Sequence, residues 1–340
     1  MDIRRHWKDI LYIGLGLFLI AVLLLRADVS DTLNVLSEAS IDMISIVLAL
    51  YFFNMFCKVL RWYGLLKGMG AKNIGLITLP IFLASLALNN STPGKLGGEP
   101  VRALMLKEHT GNRISKGIAT IFAEKSLDIL TILLLSVLGL AYMVSVLGFE
   151  DVRGMVIVIG IGGFIIVMVI LLLVNRGFLR IANKIIERCA LALTRGNKDS
   201  KLHMFFDKLE GSVDRYHTSL RTLRRNPWTG TGVIMLTIAI WINEAIRFYL
   251  VVRSLPEDVY ISFPGAIAAI ALANILGFIL PIGAGNVFGS KSVLELLSVG
   301  GSTAMAASLL QVATSLWISI PMGVLSLLFL RKRSKVATNQ

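Results

Sequence analysis

Residues 89–102 read Asn-Asn-Ser-Thr-Pro-Gly-Lys-Leu-Gly-Gly-Glu-Pro-Val-Arg, and they interrupt strongly apolar sequence. Upstream, residues 74–88 carry no charge; downstream, past a short polar patch, another long apolar segment begins. Pro93, Pro100 and the glycines at 94, 97 and 98 forbid one continuous helix. Lys95, Glu99 and Arg102 are costly at membrane depth unless paired or facing water. Irregular backbone persists at that depth only inside protein or along a wet cavity. The stretch therefore reads as the tip of a re-entrant hairpin and the centre of a functional site.

Composition sets the solvent. The 340 residues are 55% hydrophobic, with a mean hydropathy of +0.75, which marks a polytopic all-α membrane protein. A net charge of +13 fits basic cytoplasmic loops facing an anionic leaflet. No aromatic-interleaved basic motif points to nucleic acid. Cys57 lies in an apolar run and Cys189 in a basic one, so no disulfide is expected. The first apolar run lacks a small-residue cleavage site and is long enough to remain as a helix.

Spanning helices are expected over 10–25, 43–60, 117–146, 155–174, 229–252 and 303–330. Two pairs of shorter apolar legs, 75–90 with 100–108 and 264–280 with 290–299, are too short to cross about 30 Å of hydrocarbon at 1.5 Å per residue. Each pair reads as a hairpin that enters and leaves on one side. With both termini cytoplasmic, the basic loops 1–9, 58–72, 107–116, 175–228 and 331–335 fall inside. The acidic or neutral loops 26–42, 147–154 and 254–262 then fall outside. Within 175–228, Leu209, Val213, Tyr216, Leu220 and Leu223 keep a helical spacing, so that insert carries an amphipathic helix.

The two hairpin regions match each other. Pro80 aligns with Pro264, Ala84 with Ala268, Ala87-Leu88 with Ala271-Leu272, and Asn90 with Asn274. Upstream, Leu60-Arg-Trp-Tyr63 aligns with Ile246-Arg-Phe-Tyr249; downstream, Pro93 and Pro281 each open a glycine-rich loop. An odd number of spans separates the hairpins, so they enter from opposite faces. This is an inverted repeat, over about 43–146 and 229–330 of a single membrane domain.

Arg61 and Arg247 are the repeat-related cations. Each either snorkels beside an aromatic anchor or faces a polar chamber. Lys58, one turn before Arg61, extends a cationic wall. Glu124 and Asp128 share a face of the third span and read as counter-ions for Arg61 or Arg102 rather than as a proton relay. Glu244 shares a face with Arg247, and Gln311 marks a polar spot on the last span. Lys95 and Arg102 flank the first loop beside a helix start at Pro100, a combination suited to phosphate, with Glu99 between them. Asn90 and Asn274 occupy matched positions on the first legs, and Lys291 is the basic residue near the second loop. No Cys/His spacing implies a metal, no Ser-His-Asp set stands out, and no cofactor or nucleotide-loop motif is read.

The segment Thr92-Pro-Gly-Lys-Leu-Gly-Gly-Glu-Pro-Val-Arg102 resembles the lysylphosphatidylglycerol synthase transmembrane family, also called the flippase-like domain family. Glu124-Lys-Ser-Leu-Asp128 is similar to its later Glu-basic-x-x-Asp, and Pro281-Ile-Gly-Ala-Gly285 to its second Pro/Gly loop. The sequence departs from the pattern where Gly289-Ser290-Lys291 stands in place of an acidic residue, with Glu295 a turn later. The resemblance implies two re-entrant hairpins that move lipids between leaflets. Larger members carry a soluble aminoacyl-transferase domain, which is not expected in a chain ending at Gln340.

The reading that follows is a lipid translocator in a prokaryotic-type cell membrane, acting on a phospholipid or a polyprenyl-phosphate-linked lipid. Its phosphate is expected at Lys95, Arg102 and Arg61 or Arg247. The alternative is a membrane glycosyl- or phosphoryl-transferase using Glu99, Glu124 and Asp128 on a polyprenyl lipid. A third is a membrane partner that recruits a cytoplasmic protein through 175–228. A homo-oligomer stays open.

Overall fold

A computed structural model describes residues 20–25, 28–91, 97–174, 227–256, 260–280 and 283–338 of this chain. Every regular element among them is helical, and many of the ends fall where the sequence supplies a cap or a turn. Asp28 accepts from the Ser30 and Asp31 amides and opens α1, Val29–Ser37. Ser40 does the same for α2, Ile41–Gly68, and Gly70, at φ 65°, turns the chain away after it. The first hairpin follows as α3, Thr78–Ser91, and α4, Gly98–Thr110, which Gly111 ends in the left-handed region. Then come α5, Ile114–Leu147, and α6, Phe149–Val174. After α7, Pro227–Arg253, Ser262 caps α8, Phe263–Ile279, with Pro264 in its first turn. The second hairpin closes with α9, Ala284–Leu296. A final rod consists of α10, Gly301–Val312, a π-helical turn over Ala313–Trp317, and α11, Ile318–Thr338, which contains Pro321.

Among the described residues four helices are long and apolar enough to cross a membrane: Ile41–Gly68, Ile114–Leu147, Thr229–Arg253 and Gly301–Arg333. Their outward faces carry large exposed apolar side chains, such as Phe52, Phe53 and Phe56 on α2, Leu134 and Leu138 on α5, and Leu325 and Leu328 on α11. In water such a surface would be a liability; in a bilayer it is the solvent-matched face. The protein is thus a multi-pass, all-α membrane protein. Of the other two expected spans, 10–25 lies mostly outside the described residues. The other falls within the 26-residue α6, whose side chains are described only to Phe164. The amphipathic helix expected within 175–228, Lys95 and Pro281 also lie outside them.

The hairpin legs contain 14, 13, 17 and 13 residues, or roughly 20–26 Å at 1.5 Å per residue, each shorter than a hydrocarbon core. Both turns are tighter than the sequence implies. The first is confined to residues between Ser91 and Gly98, and α9 starts at Ala284 rather than near residue 290. The reason is packing. A Cβ on Gly98 would lie 1.9 Å from the Ser85 carbonyl oxygen, one on Gly285 would lie 2.1 Å from that of Leu276, and one on Gly289 would lie 2.6 Å from Ala273 Cα. These glycines let two helical legs touch backbone to backbone and do not all belong to loops. Gly98→Ala is therefore expected to destabilise by about 1–3 kcal/mol. Gly160→Ala, where a Cβ meets nothing within 4 Å, should be neutral or stabilising by up to about 1 kcal/mol. Unfolding midpoints in detergent check both.

The packing partners follow a reciprocal scheme. α2 lies along α7; α3 packs on α11, and α8 on α5; α4 packs on α5, and α9 on α10. Exchanging α2 with α7, α3 with α8, α4 with α9 and α5 with the α10–α11 rod leaves that list unchanged. Close contacts obey it as well: Gly323 of α11 meets Ala87 of α3, and Gly139 of α5 meets Ala268 of α8.

Candidate functional site

Tyr51, Asn54, Lys58 and Arg61 recur at three- and four-residue intervals, which puts four polar side chains on one face of α2. That face borders a cavity of about 680 Å³. Its wall includes Ser85, Asn89 and Asn90 from α3, Glu99 and Arg102 from α4, and Glu124, Lys125 and Asp128 from α5. The wall also includes Trp241, Glu244 and Arg247 from α7, Asn274 from α8, Asn286 and Ser290 from α9, and Gln311 from α10. Both hairpins therefore contribute to one chamber.

One side of the chamber is a chain of alternating charges. Lys125 Nζ lies 3.0 Å from Glu99, whose other oxygen lies 2.5 Å from Arg102. Arg102 then meets Glu124 at 3.1 Å, and Glu124 meets Arg61 at 3.2 Å. Arg61 closes the chain with two hydrogen bonds to Asp128, at 2.6 and 3.0 Å, and a third to Thr237 at 3.3 Å. Asp128 also accepts from the Trp241 indole N–H at 3.2 Å. Three cations thus face three carboxylates, the neutral count that makes such depth tolerable. The Arg102 guanidinium is further held 5.1 Å above both the Trp62 and Phe82 rings.

Asn89 fixes the mouth of the first hairpin. Its Oδ1 accepts from the Gly98 N–H at 2.7 Å and its Nδ2 donates to Glu99 at 2.9 Å. The Gly98 amide is committed to this bond. Asn89→Leu leaves that buried N–H without an acceptor and should lower stability by about 1–3 kcal/mol, read as a fall in the unfolding midpoint.

The other side is sparser. Arg247, fully buried, meets Glu244 at 3.2 Å, donates to Thr314 at 3.4 and 3.5 Å, and lies 4.9 Å over the Tyr51 ring. Gln311 donates to Glu244 at 3.2 Å. The alignment that pairs Arg61 with Arg247 pairs Lys58 with Glu244. Arg61 meets two carboxylates, whereas Arg247 meets one together with Thr314, and the positions one turn earlier carry opposite charges. Lys58 lines the cavity between the two sets, within electrostatic reach of Glu244 and Asp128. Among the described residues it makes no direct hydrogen bond or ion pair. The described lining therefore holds five cations against four carboxylates, and Lys58 carries the excess.

The structure brings together Lys58, Arg61, Asn90, Glu99, Arg102, Glu124, Asp128, Arg247 and Asn274. Asn90 donates to Ser319 at 2.5 Å, and Asn274 to the Ile270 carbonyl at 2.9 Å. Lys291 stands apart. It is buried on α9, pairs with Glu295 and is not among the lining residues, so its charge is already answered four residues along its own helix. Sequence reasoning passed over Asn54, Asn89 and Lys125 as site residues. Asn54 carried a usable signal, a lone amide in an apolar run one turn before Lys58.

A bundle of apolar-faced helices around a buried, ion-paired chamber defines a class: integral membrane proteins with an internal polar site. The chain belongs to the family of the lysylphosphatidylglycerol synthase transmembrane region, which it matches over residues 10–323. It is 25% identical over 336 residues to a UPF0104 membrane protein of Pyrococcus horikoshii, covering 96% of this chain and 98% of that one. It is also 25% identical over 321 residues to a UPF0104 membrane protein of Methanothermobacter thermautotrophicus, covering 93% and 94% of the two chains.

Proposed function

We propose that this protein moves a phosphate-bearing lipid between leaflets, holding the head group in the chamber while the tails stay in the bilayer. The observation that carries the proposal is the chamber itself. It has charged and amide side chains set among apolar ones, is bordered by both hairpins, lies within apolar-faced helices, and carries one cation with no direct partner among the described residues. Lys58 meets the phosphate. Arg61 and Arg102, expected to share that task, have donors committed to carboxylates, though the Nε of each is free, and they form the wall behind it.

The reciprocal packing supports the inverted-repeat reading, and with it we take the chain to have six spans, two re-entrant hairpins entering from opposite faces, and both termini cytoplasmic. Rocking of one repeat against the other would expose the chamber to each side in turn. The ion-paired state of Glu99, Glu124 and Asp128 favours transport over the transferase alternative, because carboxylates held by arginine and lysine are poor proton acceptors or metal ligands.

Proteoliposomes with fluorescent phospholipid in both leaflets test the proposal. Dithionite is expected to bleach nearly all the lipid when the protein is present and only the outer leaflet when it is absent. Equal bleaching in both preparations, across anionic and zwitterionic phospholipids, overturns it.

A further inference from the structure

The last span is broken where its counterpart is not. In the exchange that relates the two halves, α5 answers to the α10–α11 rod. α5 runs unbroken over Ile114–Leu147 and contains no proline. The rod leaves regular helix between Ala313 and Pro321. Ala313–Trp317 is a π-helical turn, and the Ile318 N–H reaches the Ser315 carbonyl, three residues back. Pro321 then has no N–H for the Trp317 carbonyl, four residues back. A π turn holds one residue more than the helix around it needs, and a proline opens the turn that precedes it. Each weakens a helix against bending, and here they stand in adjacent turns.

The arms on either side of the break hold different partners. N-terminal to it, α10 packs on α9, α1 and α7. Met305 and Val312 share an apolar cluster with Val287 of α9. C-terminal to it, α11 lies along α3. Leu327 and Leu330 share a cluster with Ile81 and Phe82 of that helix. Gly323 lets the two close further, since a Cβ there would lie 2.1 Å from Ala87 Cβ. The polar ties divide the same way. The Thr314 carbonyl accepts from Arg247 of α7 at 3.4 Å, whereas Ser319 accepts from Asn90 of α3 at 2.5 Å. Ser315, inside the break, lines the chamber.

Two long spans therefore bridge the hairpins. α5 packs on α4 of the first and α8 of the second as one stiff helix, and the rod joins α9 of the second to α3 of the first through a weak point. Relative motion of the hairpins is taken up where the bridge is weak.

We infer that the last span is a hinge centred on Ala313–Pro321: α10 stays with the second hairpin while α11 travels with α3 of the first. The boundary between the moving parts then cuts through a span of the second repeat and does not follow the division between repeats. This rests on the reading of the protein as a translocator and says where its motion is taken up.

Spin labels on the full chain in nanodiscs, in a Cys57→Ala/Cys189→Ala background, test it with the hinge unaltered. One pair, Phe288→Cys with Phe329→Cys, reports α9 against α11. The other, Leu79→Cys with Leu325→Cys, reports α3 against α11, and all four positions are exposed. A change of bend of about 20° at Pro321 moves Phe329, about 12 Å further along the helix, by about 4 Å. The first pair is expected to show distances spread over about 4 Å or more, and the second a single narrow distance. Pro321→Ala supplies the missing donor and should narrow the first distribution, hold or raise the unfolding midpoint, and slow phospholipid translocation by about tenfold. A single narrow distance between positions 288 and 329 overturns the hinge. So does spread in both pairs, which would free α11 from the first hairpin, or spread in the α3 pair alone, which is what rocking of whole repeats gives. A Pro321→Ala protein with a narrowed distribution and the parental rate detaches the bend from transport and also overturns the inference. If the bend is present in a parental protein that moves no phospholipid, the translocation reading falls and the hinge stands.

Discussion

Arg61→Met is expected to destabilise the protein by about 3–5 kcal/mol, the cost of leaving buried charge without its partner. Arg61 is 1% exposed and answers two carboxylates at once, Asp128 at 2.6 Å and Glu124 at 3.2 Å. Methionine fills similar space but turns a chain of three cations and three carboxylates into one with an uncompensated negative charge. Adding Asp128→Asn restores neutrality and can still accept from Trp241, so the double variant should regain more than half of the loss. Arg247→Met should cost less, because Arg247 is matched by one carboxylate, which Gln311 also holds. Unfolding midpoints in detergent read all of these, and the coupling between positions 61 and 128 follows from the double-mutant cycle. An Arg61→Met protein as stable as the parent, or a double variant no better than the single, would show that the charge chain does not hold the fold.

How much of this was legible in the sequence depends on the kind of information each feature needs. The hairpin legs were readable because length against hydrocarbon thickness is a one-dimensional quantity, and residues 75–90 are apolar yet short. The ion-paired group was readable in membership, since Arg61, Arg102, Glu124 and Asp128 are charges in apolar surroundings that have to find one another. Its connectivity was not. Nothing in the spacing says that Glu124 bridges two arginines, because that depends on how α2, α4 and α5 meet. The glycines misled for a related reason. Gly285 and Gly289 look like loop residues when counted along the chain, and only the facing backbone of Leu276 and Ala273 shows that they are contact points within a helix. Lys291 looked like a site residue by its place after the second loop, whereas its partner, Glu295, stands four residues on.

The two halves differ where function would need them to. Matched positions carry Lys58 and Glu244. Around the chamber, α2, α4 and α5 carry the chain of mutual ion pairs, while α7, α10 and the π-helical turn hold one pair with hydroxyl and amide groups. A chamber built this way has a rigid wall and another held by fewer ion pairs. Lys58 belongs by sequence to the first half and lies electrostatically between the two.

Lys58→Met is accordingly expected to have the largest effect on transport with the least on stability. No described side chain pairs directly with Lys58, so its removal strands no buried partner. The unfolding midpoint should hold or rise, because an unpaired, partly buried charge is lost from an apolar setting. If Lys58 meets the lipid phosphate, a charge-assisted hydrogen bond goes with it, and the translocation rate of a phospholipid in proteoliposomes should fall by about 10–100-fold. Lys58→Arg keeps the charge on a bulkier, planar group and should retain a measurable fraction of the rate. The pair of readouts separates the alternatives. A variant that unfolds early would mean that Lys58 braces the structure through Glu244 or Asp128. A stable variant that still translocates at the parental rate would mean that the phosphate binds elsewhere, and the central assignment of the site would fail.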